Sequence, residues 1–383
     1  MDKYFVASIA GANSLGNKRV KRLVDFFGNG RAAWTAEVAD LKNAGLPPKA
    51  LESFVEWRNS HPDAPEKLED YCKRHGFGLC TIFDEDYPPI LKEISLPPVL
   101  FYYRGKIFPD VERIAIVGTR DNTDYGKGIA ITLGRELAAV GVTIVSGAAR
   151  GIDSFAHTGA LETGRTVAVL GQGLAVPFYR EKKKLLERIA ENGLVMSEFS
   201  LKTPANEGTF IARNRIISGL CRGVVVVEAG KGSGALNTGK WAIDNNRDVF
   251  AVPGSIHWEK SSGCNKIIHR SEALLIRNAQ DVLEYYNWDV PEKISSPPAD
   301  LNMSEKIPDN VPEKIPAKNS PPPANLSDKA AKIFELIPAE NFITGDEILN
   351  VTDEIAPNEL PKIILELDIK GYIIEDAGRY TRK

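Results

Sequence analysis

Four short segments of this 383-residue chain hold the side chains whose types could act together chemically. They are Gly118-Thr119-Arg120, Ser146–Asp153, Arg213-Asn214-Arg215 and Lys231–Lys240. Between them they offer Arg120, Arg150, Arg213, Arg215, Lys231 and Lys240. Glycine lets backbone N–H groups approach an anion, and arginine makes bidentate contacts to phosphate. One glycine turn alone says little, because strand-to-helix loops need glycine for their geometry. Four segments on one edge point to a phosphate-bearing ligand.

The central segment is Val142–Leu161, VTIVSGAARGIDSFAHTGAL. Its β-branched start suits a strand buried on both faces. Gly147 marks a sharp turn, Gly151 leaves room for close backbone approach, and Ile152–Leu161 is helical in pattern. Ser146 and the N–H groups at the helix start are therefore expected to face an anion.

Other chemistries fit less well. SGAARG is not the G-x-G-x-x-G dinucleotide fingerprint. In Gly234-x-x-x-x-Gly239-Lys240 the next residue is Trp241, so the hydroxyl that holds magnesium in a P-loop is missing. The four cysteines and five histidines show no metal-ligand spacing; Cys72-x-x-His75 is the nearest approach and reads as ordinary packing. Asp153 and His157, at i and i+4, could form an acid–base pair with Ser146 or Ser154 as nucleophile. The plainer reading is that they cap the helix and brace the loop. Glu228, at the end of a buried strand, is likewise read as a structural hydrogen-bond acceptor. Lys182–Lys184 is a solvated helix face or, beside a phosphate pocket, an extension of a DNA track. Phe178 and Tyr179 either stack bases or pack under the loop. No cofactor is expected.

The elements that must position these residues follow from the pattern. RIAIV (113–117), VTIV (142–145), TVAVL (166–170), Leu194–Glu198, GVVVVE (223–228) and DVFAV (248–252) alternate with helical stretches. The helices cover Ile129–Leu137, Ile152–Leu161, Lys182–Ile189 and Arg213–Leu220, and one more opens after Lys231. This predicts an α/β fold, an extended Rossmann-like parallel sheet with the glycine turns at the carboxyl ends of its strands. Before it, residues 1–60 read as short helices. Leu41–Ala50 reads as an αα-hairpin, or as half of a helix-hairpin-helix in which Pro47 replaces the second glycine. Glu66–His75 is a predicted helix; Leu79–Phe83 and Val99–Tyr103 are predicted strands, the latter joining the main sheet.

Composition sets the frame: 43% hydrophobic and 26% charged, as in a soluble protein. No apolar run suggests a membrane span, the first residues lack a signal-peptide pattern, and the scattered cysteines fit a reducing cytoplasm. The net charge of −3 hides a split: 0 for residues 1–111, +4 for 112–288 and −7 for 289–383. Nine prolines between Pro291 and Pro323 mark a semi-rigid tether. The tail, 327–383, predicts three helices and a two-stranded wing. Its signals are the Thr344-x-x-Glu347 capping box, Asn358 as a cap, Gly371 as a stop and a Gly378 turn. The third helix, PNELPKIILELDIKG, has three acids against two lysines, which disfavours a major groove and suits protein contact or autoregulation.

VGTR (117–120), SGAARGIDSFAHTGAL (146–161), TVAVLGQG (166–173), Ser197-Glu198, ARNRIISGL (212–220), VVVEAGKGSGAL (225–236), VFAVPG (249–254) and Gly263-x-Asn265 together resemble the DNA-processing protein A (DprA/Smf) family. YPPILKEI (87–94) and PPVLFYYRG (97–105) match it too. The resemblance covers nearly the whole chain. It implies a small helical N-terminal domain of the SAM or helix-hairpin-helix kind (1–64), a Rossmann-like DNA-binding core (65–288), a linker (289–326) and a winged helix (327–383). It also implies single-stranded DNA binding, dimerisation through the core, RecA as a partner and no catalytic turnover. Arg120 would hold DNA phosphate; Gly147, Arg150, Gly151 and Asp153 match the second turn; Arg213, Asn214 and Arg215 line or brace the pocket.

The chain departs from the family at Ala148-Ala149, usually Leu-Ala, and at Ile211-Ala212, where Phe-Pro is usual. Ser271-Glu272 stands near a usual Gly-Ala. A Tyr-Pro-x-x-Asn segment is lost near Phe178-Tyr179, where lysines add to phosphate binding.

The expected DNA-facing set is thus Gly118, Thr119, Arg120, Ser146, Gly147, Arg150, Gly151, Lys182, Arg213, Asn214, Arg215, Lys231 and Lys240. The expected function is capture of single strands and loading of RecA in transformation and recombination. A nucleotide hydrolase on a related fold and a winged-helix regulator of duplex DNA are the alternatives.

Overall fold

A computed structural model describes residues 1–12, 14–288, 326–337, 343–352, 355, 359–370, 372–376 and 379–382. The predicted linker and the expected Asn358, Gly371 and Gly378 signals lie outside the described residues. The chain divides into two units, Met1–Pro297 and Pro298–Lys383.

The first unit is built on a nine-stranded sheet. In chain order its strands are β1 (Gly78–Thr81), β2 (Leu100–Gly105), β3 (Arg113–Val117), β4 (Thr143–Ser146), β5 (Thr166–Val169), β6 (Leu194–Ser197), β7 (Gly223–Val226), β8 (Asp248–Ala251) and β9 (Leu274–Leu275). Their spatial order is β1-β2-β6-β5-β4-β3-β7-β8-β9. From β6 to β9 all neighbours are parallel. β2 runs antiparallel to β6, and β1 antiparallel to β2. The order reverses between β3 and β7, which is where open α/β sheets place their ligands.

The apolar runs of the strands follow from burial on both faces. Ile114 and Ile116 belong to one core with Val225, while Ala115 and Val117 belong to the other with Val224 and Val226. Helices α8 (Asp124–Ala139) and α9 (Ile152–Thr163) cover the Ile114 face through Leu133, Leu137, Ala156 and Ala160.

On the other side, α11 (Glu207–Gly219) and α12 (Gly234–Asp244) pack together. Residues 1–64 join that second core. Helices α1 (Asp2–Ala10), α2 (Asn17–Phe27), α3 (Gly30–Thr35), α4 (Val38–Asn43), α5 (Pro48–Ser60) and α6 (Ala64–His75) bury Ile9, Leu23, Leu41 and Phe54 in continuity with Phe101 and Val195 of the sheet. Short α7 (Pro89–Lys92) precedes β2, α10 (Arg180–Asn192) links β5 to β6, and α13 (Ser262–His269) and α14 (Ala279–Tyr285) close the unit. Helix α11 starts six residues before its apolar pattern does. Asn206 and Thr209 form a capping box there that organises a polar first turn.

The second unit has α15 (Asp328–Leu336), β10 (Ile343–Thr344), α16 (Gly345–Val351), α17 (Leu360–Ile369), β11 (Ile373–Asp376) and β12 (Arg379–Arg382). Thr344 and Glu347 form the expected capping box. β10 adds a third strand to the hairpin, in the order β10-β12-β11. Ile333, Ile348, Ile363 and Leu367 share its core. No helix among the described residues is long and apolar enough to cross a membrane.

α8 and α9 touch backbone to backbone. A Cβ on Gly159 would meet the Ile131 carbonyl, and one on Gly134 the Ala156 carbonyl. Gly159→Ala should therefore cost about 1–3 kcal/mol by overpacking. It outweighs the helix-propensity gain of roughly 1 kcal/mol. Gly128→Ala, in open space on α8, should stabilise by up to roughly 1 kcal/mol. Urea midpoints at constant slope measure both.

Candidate nucleic-acid interface

The loops after β3, β4, β5 and β7 meet at one sheet edge, and a buried set of polar contacts fixes them. The Asp153 carboxylate, on the first turn of α9, accepts the N–H of Gly147 at 3.1 Å and of Ala149 at 3.5 Å. The Gly147 carbonyl accepts from Arg213 Nη1 at 2.8 Å. The same guanidinium donates to the Val169 carbonyl at the end of β5, and its Nε donates to Asn214 Oδ1 at 3.2 Å. Gly147 is thus held from both sides, and a Cβ there would strike the guanidinium. Gly151 adopts φ +88°, and its missing Cβ makes room for the Thr119–Arg120 backbone. The first N–H of α9, on Ile152, donates to Thr119 O at 3.2 Å.

These contacts correct several expectations. The anion that the Ser146–Asp153 turn binds is the chain's own Asp153 carboxylate. Gly147 and Gly151 serve loop-on-loop packing instead of ligand approach. Ser146 is buried and donates to Ile116 O at 2.6 Å. Gly118 lies under Ile152, and Thr119 donates its N–H to Glu228 O at 2.8 Å. Arg213 and Arg215 are only 4% and 7% exposed. Arg215 holds Glu198 in a bidentate pair, at 2.7 and 2.5 Å, and so does not face a ligand. Asn214 also reaches Gly234 O at 3.4 Å. Lys240 is exposed but sits nearly two turns along α12, roughly 9 Å from its start.

The candidate acid–base groups are engaged as well. Glu228 is buried and accepts the N–H and the hydroxyl of Thr123, at 2.9 and 2.6 Å, at the start of α8. His157 is fully buried. Thr166 Oγ1 donates to Ile144 O at 2.7 Å and lies 2.6 Å from His157 Nδ1. The hydroxyl proton is spent on the carbonyl, so Nδ1–H must be the donor in that contact. Burial, then the nearby Arg213 and Lys182 charges, push the His157 pKa down to about 3, so the ring is neutral.

What remains at the edge is positive. Arg120 is exposed and lies over the Phe210 ring at 5.0 Å. Arg150 and Lys231 are exposed. Lys182, half-buried on the first turn of α10, lies 5.6 Å from the centre of Phe178, and Tyr179 beside it is exposed. Among the described residues, none of Arg120, Arg150, Lys182 and Lys231 makes an ion pair. The Lys182 pKa is pushed down to about 8, first by burial and then by Arg213 and Arg120, with Asp153 opposing. Arg213 falls to about 10 for the same leading reason. Cations that repel one another, beside aromatic rings and without an ion-pair partner among the described residues, form a site for an external anion. Phe210 is a contact that the sequence does not single out. Its only signal is its place three residues before Arg213.

Removing a buried arginine should differ from removing an exposed one. Arg213→Ala leaves Asp153 buried without its compensating charge and should cost about 3–5 kcal/mol in urea unfolding. Arg120→Ala should stay within about 0.5 kcal/mol of the parent.

Comparison with known proteins agrees with this architecture. Residues 78–287 match the family model for DNA recombination-mediator protein A. Protein Smf of Synechocystis is 34% identical over 95% of this chain and 94% of its own length. DNA processing protein DprA of Streptococcus pneumoniae is 35% identical over 72% of this chain and 95% of its own. The X-ray structure of the S. pneumoniae protein superimposes with a TM-score of 0.64 at 32% identity, covering 76% of this chain and 99% of that one. DNA processing protein A of Helicobacter pylori, whose structure was solved for its single-stranded DNA binding mode, gives a TM-score of 0.50 at 30% identity over 55% of this chain and 95% of that one. The chain belongs to the DNA recombination-mediator protein A (DprA/Smf) family.

Proposed function

We propose that this protein captures single-stranded DNA along the β3–β7 edge of its sheet and presents it to RecA during recombination of incoming strands. The observation that carries the reading is the unpaired set Arg120, Arg150, Lys182 and Lys231, interleaved with Phe178, Tyr179 and Phe210. Cations that track a backbone and rings that stack on bases are the means by which single strands are held without sequence preference. The single-strand binding mode reported for the H. pylori relative supports it. The role as RecA mediator, dimerisation through the core and a cytoplasmic setting rest on family membership. We infer binding without turnover: Asp153 and Glu228 are engaged in holding loops, and His157 is engaged with Thr166 at the start of β5. We read the second unit as a winged helix, 327–383, following domains at 1–64 and 65–288 and a tether at 289–326. Lys370 pairs with Glu366, and Lys329 with Glu359, so two acids of α17 and its approach are engaged within that unit.

Arg120→Ala should weaken binding to an oligothymidylate by roughly 10- to 100-fold, the worth of a charge-assisted contact. It should also flatten the salt dependence by about 0.7 in log–log slope. Unchanged binding in an anisotropy titration would remove Arg120 from the site. Lys182 sets a pH dependence. Its charged form holds phosphate, so affinity should fall as pH rises through about 8. Lys182→Arg, charged throughout, should abolish that fall between pH 7 and 9, whereas an identical profile in both would contradict the assignment.

A further inference from the structure

Trp258, on the loop after β8, and Tyr125, on the first turn of α8, form an exposed aromatic pair that the reading above leaves without a role. Trp258 is 49% exposed and Tyr125 38% exposed. Their rings meet edge to face, with centroids 6.1 Å apart at 62°. The pair is held in place. Tyr125 donates its hydroxyl to Pro253 O at 2.9 Å. The Trp258 backbone N–H donates to Ser255 O at 3.1 Å, and the Ser261 backbone N–H donates to Trp258 O at 3.0 Å. An isolated exposed apolar side chain needs no explanation. An ordered aromatic pair beside the anion site does.

Its place on the edge is specific. Lys260, two residues on, pairs with Asp121 at 2.8 Å, and Asp121 follows Arg120 directly. The Gly263 N–H donates to Ala229 O at 2.8 Å, which seats this segment against the β7 loop that carries Lys231. The strand order puts β8 on one side of β3 and β5, with its Phe178 and Lys182 loop, on the other. Aromatic rings therefore flank Arg120 on both sides along the edge, and Lys260 neutralises the nearby Asp121.

We propose that Trp258, supported by Tyr125, is a second base-stacking platform for the strand whose phosphate Arg120 holds. The proposal rests on the single-stranded DNA reading above and extends its path from β5 to β8. An indole face stacks on any base, so this platform adds affinity and length of contact without sequence preference.

The test uses the full chain, a labelled oligothymidylate and the same oligomer with internal abasic positions. Trp258→Ala should weaken oligothymidylate binding by roughly 5- to 100-fold, with the salt slope unchanged because no cation is removed. Trp258→Phe should retain most of the affinity. On the abasic oligomer the parent and Trp258→Ala should bind alike. If the parent binds oligothymidylate and Trp258→Ala binds equally well, the platform is overturned while the Arg120 site stands. If the parent does not bind single strands, both fail together. If Trp258→Ala leaves DNA affinity intact but shifts the sedimentation coefficient to that of a smaller species, the ring serves protein contact and the proposal is wrong.

Discussion

The structure of the site depends on how Gly147 is gripped. Asp153 accepts its N–H, Arg213 donates to its carbonyl, and the same Arg213 reaches the end of β5. Neither charged group could be buried alone at acceptable cost; together, with their hydrogen bonds made, they lock three loops to one another. Gly151 and Ile152 fasten the Thr119–Arg120 loop to the same centre. The edge is therefore preorganised. Arg120 sits on a loop whose backbone is already hydrogen-bonded to β7 and α9, so little remains to be ordered when an anion arrives.

The buried charges also act through their field. Burial is the first cause of the lowered Lys182 and His157 pKa values, and Arg213, although it does not reach solvent, adds to both, with Lys182 adding to the second. The arginines thus fall into two groups. Arg213 and Arg215 hold the scaffold, while Arg120 and Arg150 are free to meet a ligand.

That division could not be read from the sequence. The strand–turn–helix repeat was legible, because strands buried on both faces are largely apolar, and β3, β4, β5 and β7 are so except for Arg113, Thr143, Ser146 and Thr166 at their ends. The capping box at Thr344 and Glu347 was legible because it is local. The role of each arginine was not. Residue type does not reveal burial, and the partner that absorbs Arg215, Glu198, lies seventeen residues away on another element. The same holds for the glycine turns. Their spacing suggested an anion, and one is present, but Asp153 supplies it from within. The start of α11 was missed because its first turn is stabilised by a polar cap and carries no apolar period. β9, two residues long, leaves no pattern to find.

The central claim is that a single strand lies along the carboxyl edge of the core sheet, across the point where the strand order reverses. Photocrosslinking of the full chain to an oligonucleotide carrying 5-bromodeoxyuridine, with mapping of the modified peptides, tests it most directly. The account predicts adducts on peptides containing Phe178, Tyr179 or Phe210, lost in high salt. Adducts confined to residues 326–383, or spread without preference over the helices of residues 1–64, would contradict it.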